Sequence, residues 1–253
     1  MACVLVAFVV PGQAEEVRVA VASNFLSTMK ILTANFEYNT NHRIIIISGS
    51  SGKLYAQIQH GAPFDVFFSA DRHRPELLEK EGLAIKGSRF PYAVGRLTLW
   101  SPEDHMFGED AQTTLTQVTF SHLAVANPKT APYGKAAVQT LKALGLWDQT
   151  KDRLVQGESI GQTFQFVSSR NAELGFVALS QVLNPKINSL GSRWDVPPTL
   201  HDPLIQEAVL LPHGEHNASA KAFLKFIQTP TTRTVIQQQG YGLPDHSHKA
   251  HTR

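Results

Sequence analysis

Four short stretches of small polar residues carry the chemistry that this sequence makes available: Ala22-Ser23-Asn24-Phe25, Ser50-Ser51-Gly52, Ala131-Pro132-Tyr133-Gly134 and Glu158-Ser159-Ile160-Gly161-Gln162. Each stands where an apolar run of strand length gives way to a helical pattern. The first N–H groups of a helix have no intrahelical partner, and that end carries a partial positive charge, so it can hold an anion. Ser, Asn and Gly at such places are also ordinary helix caps, so one turn alone says little. Four of them say more. In an open parallel sheet such turns gather at the carboxyl ends of the strands, where ligands bind.

The elements that must position these turns are legible in outline. Val17 to Ala22 is β-branched and apolar, and Phe25, Met29, Leu32 and Phe36 then recur at helical spacing. Ile44 to Ile47 is a continuous apolar run, expected to be a strand buried on both faces. A helical pattern begins near Leu54, Phe64 to Phe68 is a third strand, and a charged helix follows around 76–81. The pattern pauses near Pro91-Tyr92-Ala93. Strands then follow at 96–100, 123–126 and 174–177, with helices at 136–144 and 160–167. The run 205–211 reads as a strand crossing back toward the first half, and helices at 218–227 and 231–239 end the pattern. Residues 184–203, with several Pro and Gly, read as an irregular loop. Alternating strand and helix implies parallel βαβ units with helices on both faces. The expected division is lobe 1 from 15–92 plus 212–253, and lobe 2 from 93–211.

Composition narrows the classes. The chain has 253 residues, 42% of them hydrophobic, with 23 Lys+Arg against 21 Asp+Glu. That near balance argues against a nucleic-acid groove, which needs clustered cations. No apolar run reaches the roughly 20 residues that span a bilayer. Residues 1–14 combine an apolar stretch from Ala2 to Val10 with the small-x-small site Gly12-Gln13-Ala14, which reads as a secretory signal lacking its basic start. The single cysteine, Cys3, lies within it, so the exported remainder would be cysteine-free, as suits an oxidising compartment. The tail 246–251 holds three histidines and reads as a polar terminus rather than a metal site.

Taken together, Ala22-Ser-Asn-Phe-Leu, Ser48-Gly-Ser-Ser-Gly, the block Gly61-Ala-Pro-Phe-Asp-Val-Phe-Phe-Ser-Ala-Asp71, Ala131-Pro-Tyr-Gly and Leu174-Gly-Phe-Val-Ala-Leu resemble the periplasmic molybdate-binding proteins of ABC importers. The resemblance runs over about residues 16–243 in the same order. It implies a two-lobed periplasmic-binding-protein fold of type II, each lobe a mainly parallel sheet flanked by helices, with the ligand in the cleft. It implies a monomer, a periplasmic location, a membrane permease as partner, and molybdate or tungstate as ligand, with no cofactor. The oxyanion ligands it implies are Ser23, Asn24, Ser51, Tyr133 and Ile160, the last two mainly through backbone N–H. The metal is then held as its oxyanion, with no side chain coordinating molybdenum. Some members add a tyrosine hydroxyl from the strand after the last turn. The matching position is Ala178, and Asn24 is expected to take that donor's place.

This agrees with the chemistry of a tetrahedral dianion, which wants many donors and no carboxylate. A second reading is a receptor for sulfate or phosphate, which also suit helix N-termini. A secreted α/β hydrolase has less support: there is no G-x-S-x-G elbow, H-E-x-x-H pair or cysteine nucleophile. Gly49-Ser-Ser-Gly-Lys53 lacks the spacing of a phosphate loop, and Leu54 stands where its hydroxyl belongs. Lys53 reads as a solvated helix lysine, and Arg43 and Arg96 have no assigned ligand role.

Overall fold

In a computed structural model the described residues are 16–107, 111–117, 120–183 and 191–244. The signal segment 1–14, the histidine tail 246–251 and residues 184–190 of the expected loop lie outside them.

Ten strands occur among the described residues: β1 (Glu16–Ala22), β2 (Arg43–Gly49), β3 (Val66–Phe68), β4 (Phe90–Gly95), β5 (Leu97–Ser101), β6 (Leu123–Ala126), β7 (Leu154–Gly157), β8 (Leu174–Ala178), β9 (Ser192–Asp195) and β10 (Leu204–Leu210). The helices are α1 (Leu26–Asn39), α2 (Ser51–Gln59), α3 (His73–Lys80), α4 (Ala111–Gln117), α5 (Pro132–Ala143), α6 (Trp147–Thr150), α7 (Ile160–Ser168), α8 (Leu179–Val182), α9 (Ala218–Ile227) and α10 (Pro230–Gln238).

Two five-stranded sheets result, ordered β2-β1-β3-β10-β4 and β7-β6-β8-β5-β9. The pairings are parallel except those of β10 and β5, so in each sheet four strands point one way and one is reversed. The chain passes from the first sheet to the second at Arg96, between β4 and β5, and returns between β9 and β10. These are two lobes with two crossings.

Alternation along β1 explains how both faces of the first sheet are covered. Val17, Val19 and Val21 pack with Phe25, which caps α1, with Met29, Leu32 and Phe36, the stripe of α1, and with Phe223 and Ile227 of α9. Ala20, on the opposite face, packs with Leu54 and Ile58 of α2 and Leu78 of α3. The side-chain period of two on the strand thus selects two helical layers. In the second lobe Leu123 and Val125 face α5, whereas Ala124 and Val177 face Val167 of α7.

Three expectations are corrected. The isoleucine run is β2, an edge strand on which only Ile44 is buried, because no strand among the described residues pairs beyond it. The pause near Pro91 is strand β4; proline is tolerated because β4 is also at an edge, and the register shifts where Pro91 pairs with Glu207. Within the expected loop 184–203, residues Ser192–Asp195 form β9, paired with β5. The run at 205–211 is β10, which crosses back into the first sheet as expected. Helix α4, with its polar sequence, was not anticipated.

Candidate functional site

Residues from all four polar turns line one cavity of about 10 Å³: Ala22, Ser23 and Asn24; Gly49, Ser50 and Ser51; Ala131, Pro132 and Tyr133; and Ile160, with Ala70 from the loop after β3. Two of the turns belong to each lobe, so the cavity lies in the cleft. Among the described residues, its wall has no carboxylate, lysine or arginine. A wider cleft of about 240 Å³ lies beside it, but Asp71 and Asp202 are on its wall and only one of the four turns reaches it. Acceptor carboxylates suit an oxyanion poorly. The smaller cavity is the candidate site.

The local sequence divides capping from ligand contact. Ser50 accepts from the Lys53 N–H at 3.4 Å and caps α2, and Ser159 accepts from the Gln162 N–H at 3.3 Å and caps α7. Ser51 and Ser23 are therefore not spent on their own helix ends. The Ser51 hydroxyl accepts from the Ala70 N–H at 2.9 Å, and the Ser23 hydroxyl accepts from the Gly161 N–H at 3.2 Å. A hydroxyl that accepts still has its proton to give, so each can donate into the cavity.

On the other lobe, α5 has no side-chain cap, and Pro132 occupies its first turn, where no N–H is needed. Tyr133 and Ile160 are in the first turns of α5 and α7, so their N–H groups have no intrahelical acceptor. Their side chains point into the core: both are at most 3% exposed, and both join the apolar cluster of lobe 2. Gly134 lets α5 start there. A Cβ on it would collide with the Ala126 carbonyl at the end of β6.

Behind the cavity is a buried polar layer. Asn24 Nδ2 donates to Gln206 Oε1 at 2.9 Å and to the Tyr241 hydroxyl at 3.3 Å. The Tyr92 hydroxyl reaches Gln206 Oε1 at 2.9 Å, and Gln206 Nε2 donates to the Tyr133 hydroxyl at 3.2 Å. Burial raises the pKa of Tyr92, Tyr133 and Tyr241, which keeps all three phenols neutral. The structure therefore brings together all five residues expected at the site, but it turns the Asn24 amide nitrogen to Gln206. Ala178 ends β8 and gives its N–H to Gln181 Oε1 at 2.9 Å. Gln206 was missed. Its signal was a polar pair, Gln206-Glu207, inside an otherwise apolar strand.

The lobes touch across the cleft. The Gly52 N–H donates to the Thr130 carbonyl at 2.8 Å, and the Ser180 hydroxyl donates to the Asn24 carbonyl at 3.2 Å. Lys53 is not merely solvated; its Nζ is 2.7 Å from Glu158 Oε2 of the facing lobe. These contacts define a closed cleft.

Two mixed sheets flanked by helices, crossed twice by the chain and closing on a small carboxylate-free cavity, define a two-lobed solute-binding architecture. The chain belongs to the bacterial extracellular solute-binding proteins: the model of that family matches residues 17–242. It is 51% identical over 232 residues to the molybdate-binding protein ModA of Azotobacter vinelandii, covering 92% of each chain. With ModA of Rhodobacter capsulatus it shares 43% identity, covering 91% of this chain and 90% of that one. The solved periplasmic molybdate-binding protein of Azotobacter vinelandii superimposes with a TM-score of 0.86, covering 90% of this chain and all of that one at 40% identity.

Proposed function

We propose that this chain is an exported receptor that captures molybdate, with tungstate as an equivalent ligand, and delivers it to the membrane permease of an ABC importer. It binds without chemical turnover and acts as a monomer in the periplasm. The observation that carries the reading is the convergence of four strand-to-helix turns on one cavity without a carboxylate. The similarity to molybdate-binding proteins supports the choice among oxyanions. The proposed ligands are the hydroxyls of Ser23 and Ser51, Asn24, and the N–H groups of Tyr133 and Ile160. The metal is held through its oxygens, and no cofactor is needed. Lobe 1 then comprises 16–95 and 204–244, and lobe 2 comprises 97–195.

Molybdate, tungstate and sulfate are all dianions, so Coulomb attraction cannot rank them. Fixed donors can, because the shorter sulfate does not reach every one. Each unmade hydrogen bond to a charged group costs about 1.5–3 kcal/mol, so two lost bonds mean about a hundredfold or more. Titration calorimetry with molybdate, tungstate, sulfate and phosphate tests this. Molybdate and tungstate should bind alike and sulfate at least about a hundredfold more weakly. Sulfate or phosphate binding as tightly as molybdate would overturn the assignment.

A further inference from the structure

The buried layer beneath the cavity contains a polar atom, on a residue that lines the cavity, that its neighbours do not satisfy. Asn24 is 2% exposed and lines the cavity, yet its Oδ1 has no hydrogen-bond partner, while its Nδ2 faces Gln206 and Tyr241. A buried acceptor left unpaired is unfavourable, and on a residue that lines an oxyanion cavity it also carries the sign that repels the ligand. Turning the Asn24 and Gln206 carboxamides by half a turn leaves their heavy atoms nearly in place and pairs the Asn24 oxygen, giving up in exchange the longer hydrogen bond of 3.3 Å from Asn24 to Tyr241. Gln206 Nε2 then donates to Asn24 Oδ1 and to the Tyr92 hydroxyl, which passes its own proton to the Ser69 carbonyl 3.0 Å away. Gln206 Oε1 accepts from Tyr133. Tyr241 already spends its proton on the Asn24 carbonyl at 2.7 Å. Asn24 Nδ2 is released from Gln206 and stands where the orphan oxygen stood.

We propose that Gln206 is a positioning residue of the anion site: by donating to Asn24 Oδ1 it holds the Asn24 carboxamide with its nitrogen toward the oxyanion. This rests on the oxyanion reading given above. Gln206 suits the task because it is fully buried, sits on the strand by which the chain returns to lobe 1, and touches Asn24 of lobe 1 and Tyr133 of lobe 2 at once. It does not reach the ligand. It acts through Asn24.

The test is a double-mutant cycle read by titration calorimetry with sodium molybdate, with thermal melting to confirm folding. Asn24→Ala should weaken binding about ten- to a hundredfold, the loss of one hydrogen bond to a charged oxygen. Gln206→Met should weaken it by a comparable factor in the parent chain and by less than about twofold when Asn24 is already alanine, because coupled residues are not additive. Equal factors in both backgrounds would make Gln206 an ordinary structural residue and overturn the proposal. A second measurement needs no variant at Gln206: the ¹⁵N–¹H pair of the Asn24 carboxamide, assigned by its absence in Asn24→Ala, should shift on adding molybdate. An unmoved signal overturns the proposal. Ser51→Ala separates the two levels: if it binds molybdate like the parent, the site reading falls and this proposal with it. If Ser51→Ala is weakened while the cycle is additive, only the role of Gln206 falls.

Discussion

The two lobes build their halves of the cavity from different materials. In the proposed site lobe 1 offers side-chain hydroxyls, Ser23 and Ser51, each held by a backbone N–H from another element. Lobe 2, on the proposed reading, offers the backbone N–H groups of Tyr133 and Ile160, and it sends the side chains of those residues into the core. A hydroxyl donor is set by one rotamer and can be lost by one substitution. A helix-terminal N–H is set by where the helix starts, so the residue bearing it is free to serve packing. The halves should therefore fail in different ways.

The largest effect should come from Gly134→Ala. The new methyl has no room against the Ala126 carbonyl, so α5 must shift and carry the Tyr133 N–H with it. Overpacking of this kind costs about 1–3 kcal/mol or more, and molybdate binding should be lost. Thermal melting and calorimetry would read both. An unchanged affinity would mean that lobe 2 does not depend on where α5 begins.

Gly52→Ala probes the meeting of the halves. Its Cβ would lie 2.8 Å from the Thr130 Cα of the other lobe, although no proposed ligand is altered. Alanine favours a helix over glycine by about 1 kcal/mol, so stability without ligand should hold or rise. Affinity should fall, and small-angle scattering should show the cleft held open in the presence of molybdate. A compact profile would break the link between this contact and closure.

The difference in materials itself is tested at Ile160 and Ser51. Ile160→Ala and Ile160→Pro both remove a buried side chain, but only proline removes the N–H, and it is tolerated in the first turn of a helix. Proline should cost about ten- to a hundredfold more affinity than alanine, and Ser51→Ala a similar factor relative to the parent. If alanine and proline at 160 bind alike, lobe 2 does not bind through its backbone.

The ion pair Lys53–Glu158 crosses the same cleft, but both side chains are about half exposed. Such a pair is worth about 0–1 kcal/mol and is screened by salt. Lys53→Met should weaken binding less than about fivefold, and the difference should shrink at high ionic strength. A larger loss would give Lys53 a direct part in holding the anion.

The smallest effect should be that of pH on affinity. The proposed donors do not titrate between about pH 6 and 9, and burial holds Tyr92, Tyr133 and Tyr241 neutral. Affinity should stay level over that range. Folded-state pKa values raised above the unfolded value of about 10 mean stability that is complete below pH 10 and lost as pH rises through the folded values. Melting temperature should therefore decline only in alkali. A steep loss of affinity between pH 6 and 7 would point to a histidine at the site.

Much of this molecule was determined by sequence alone. The valines of β1 and the stripe Phe25, Met29, Leu32 and Phe36 fixed a strand and its helix, because side-chain periods of two and 3.6 are local properties. The four polar turns were readable for the same reason, and resemblance to a known family singled out Ser23, Asn24, Ser51, Tyr133 and Ile160, which line one cavity and are the proposed ligands. Tertiary structure decided what depends on distant partners. Only sheet order makes Ile44 to Ile47 an edge strand, turns the pause at Pro91 into β4, and places β10 in the first lobe. Only packing decides that Ser50 caps α2 while Ser51 is free for the cavity, since adjacent serines look alike until Ala70 is folded against one of them. Gln206 is the plainest case. It is 182 residues from Asn24 in the chain, and no local pattern could have joined them, because the hydrogen bond between them exists only once the returning strand lies beside the first turn.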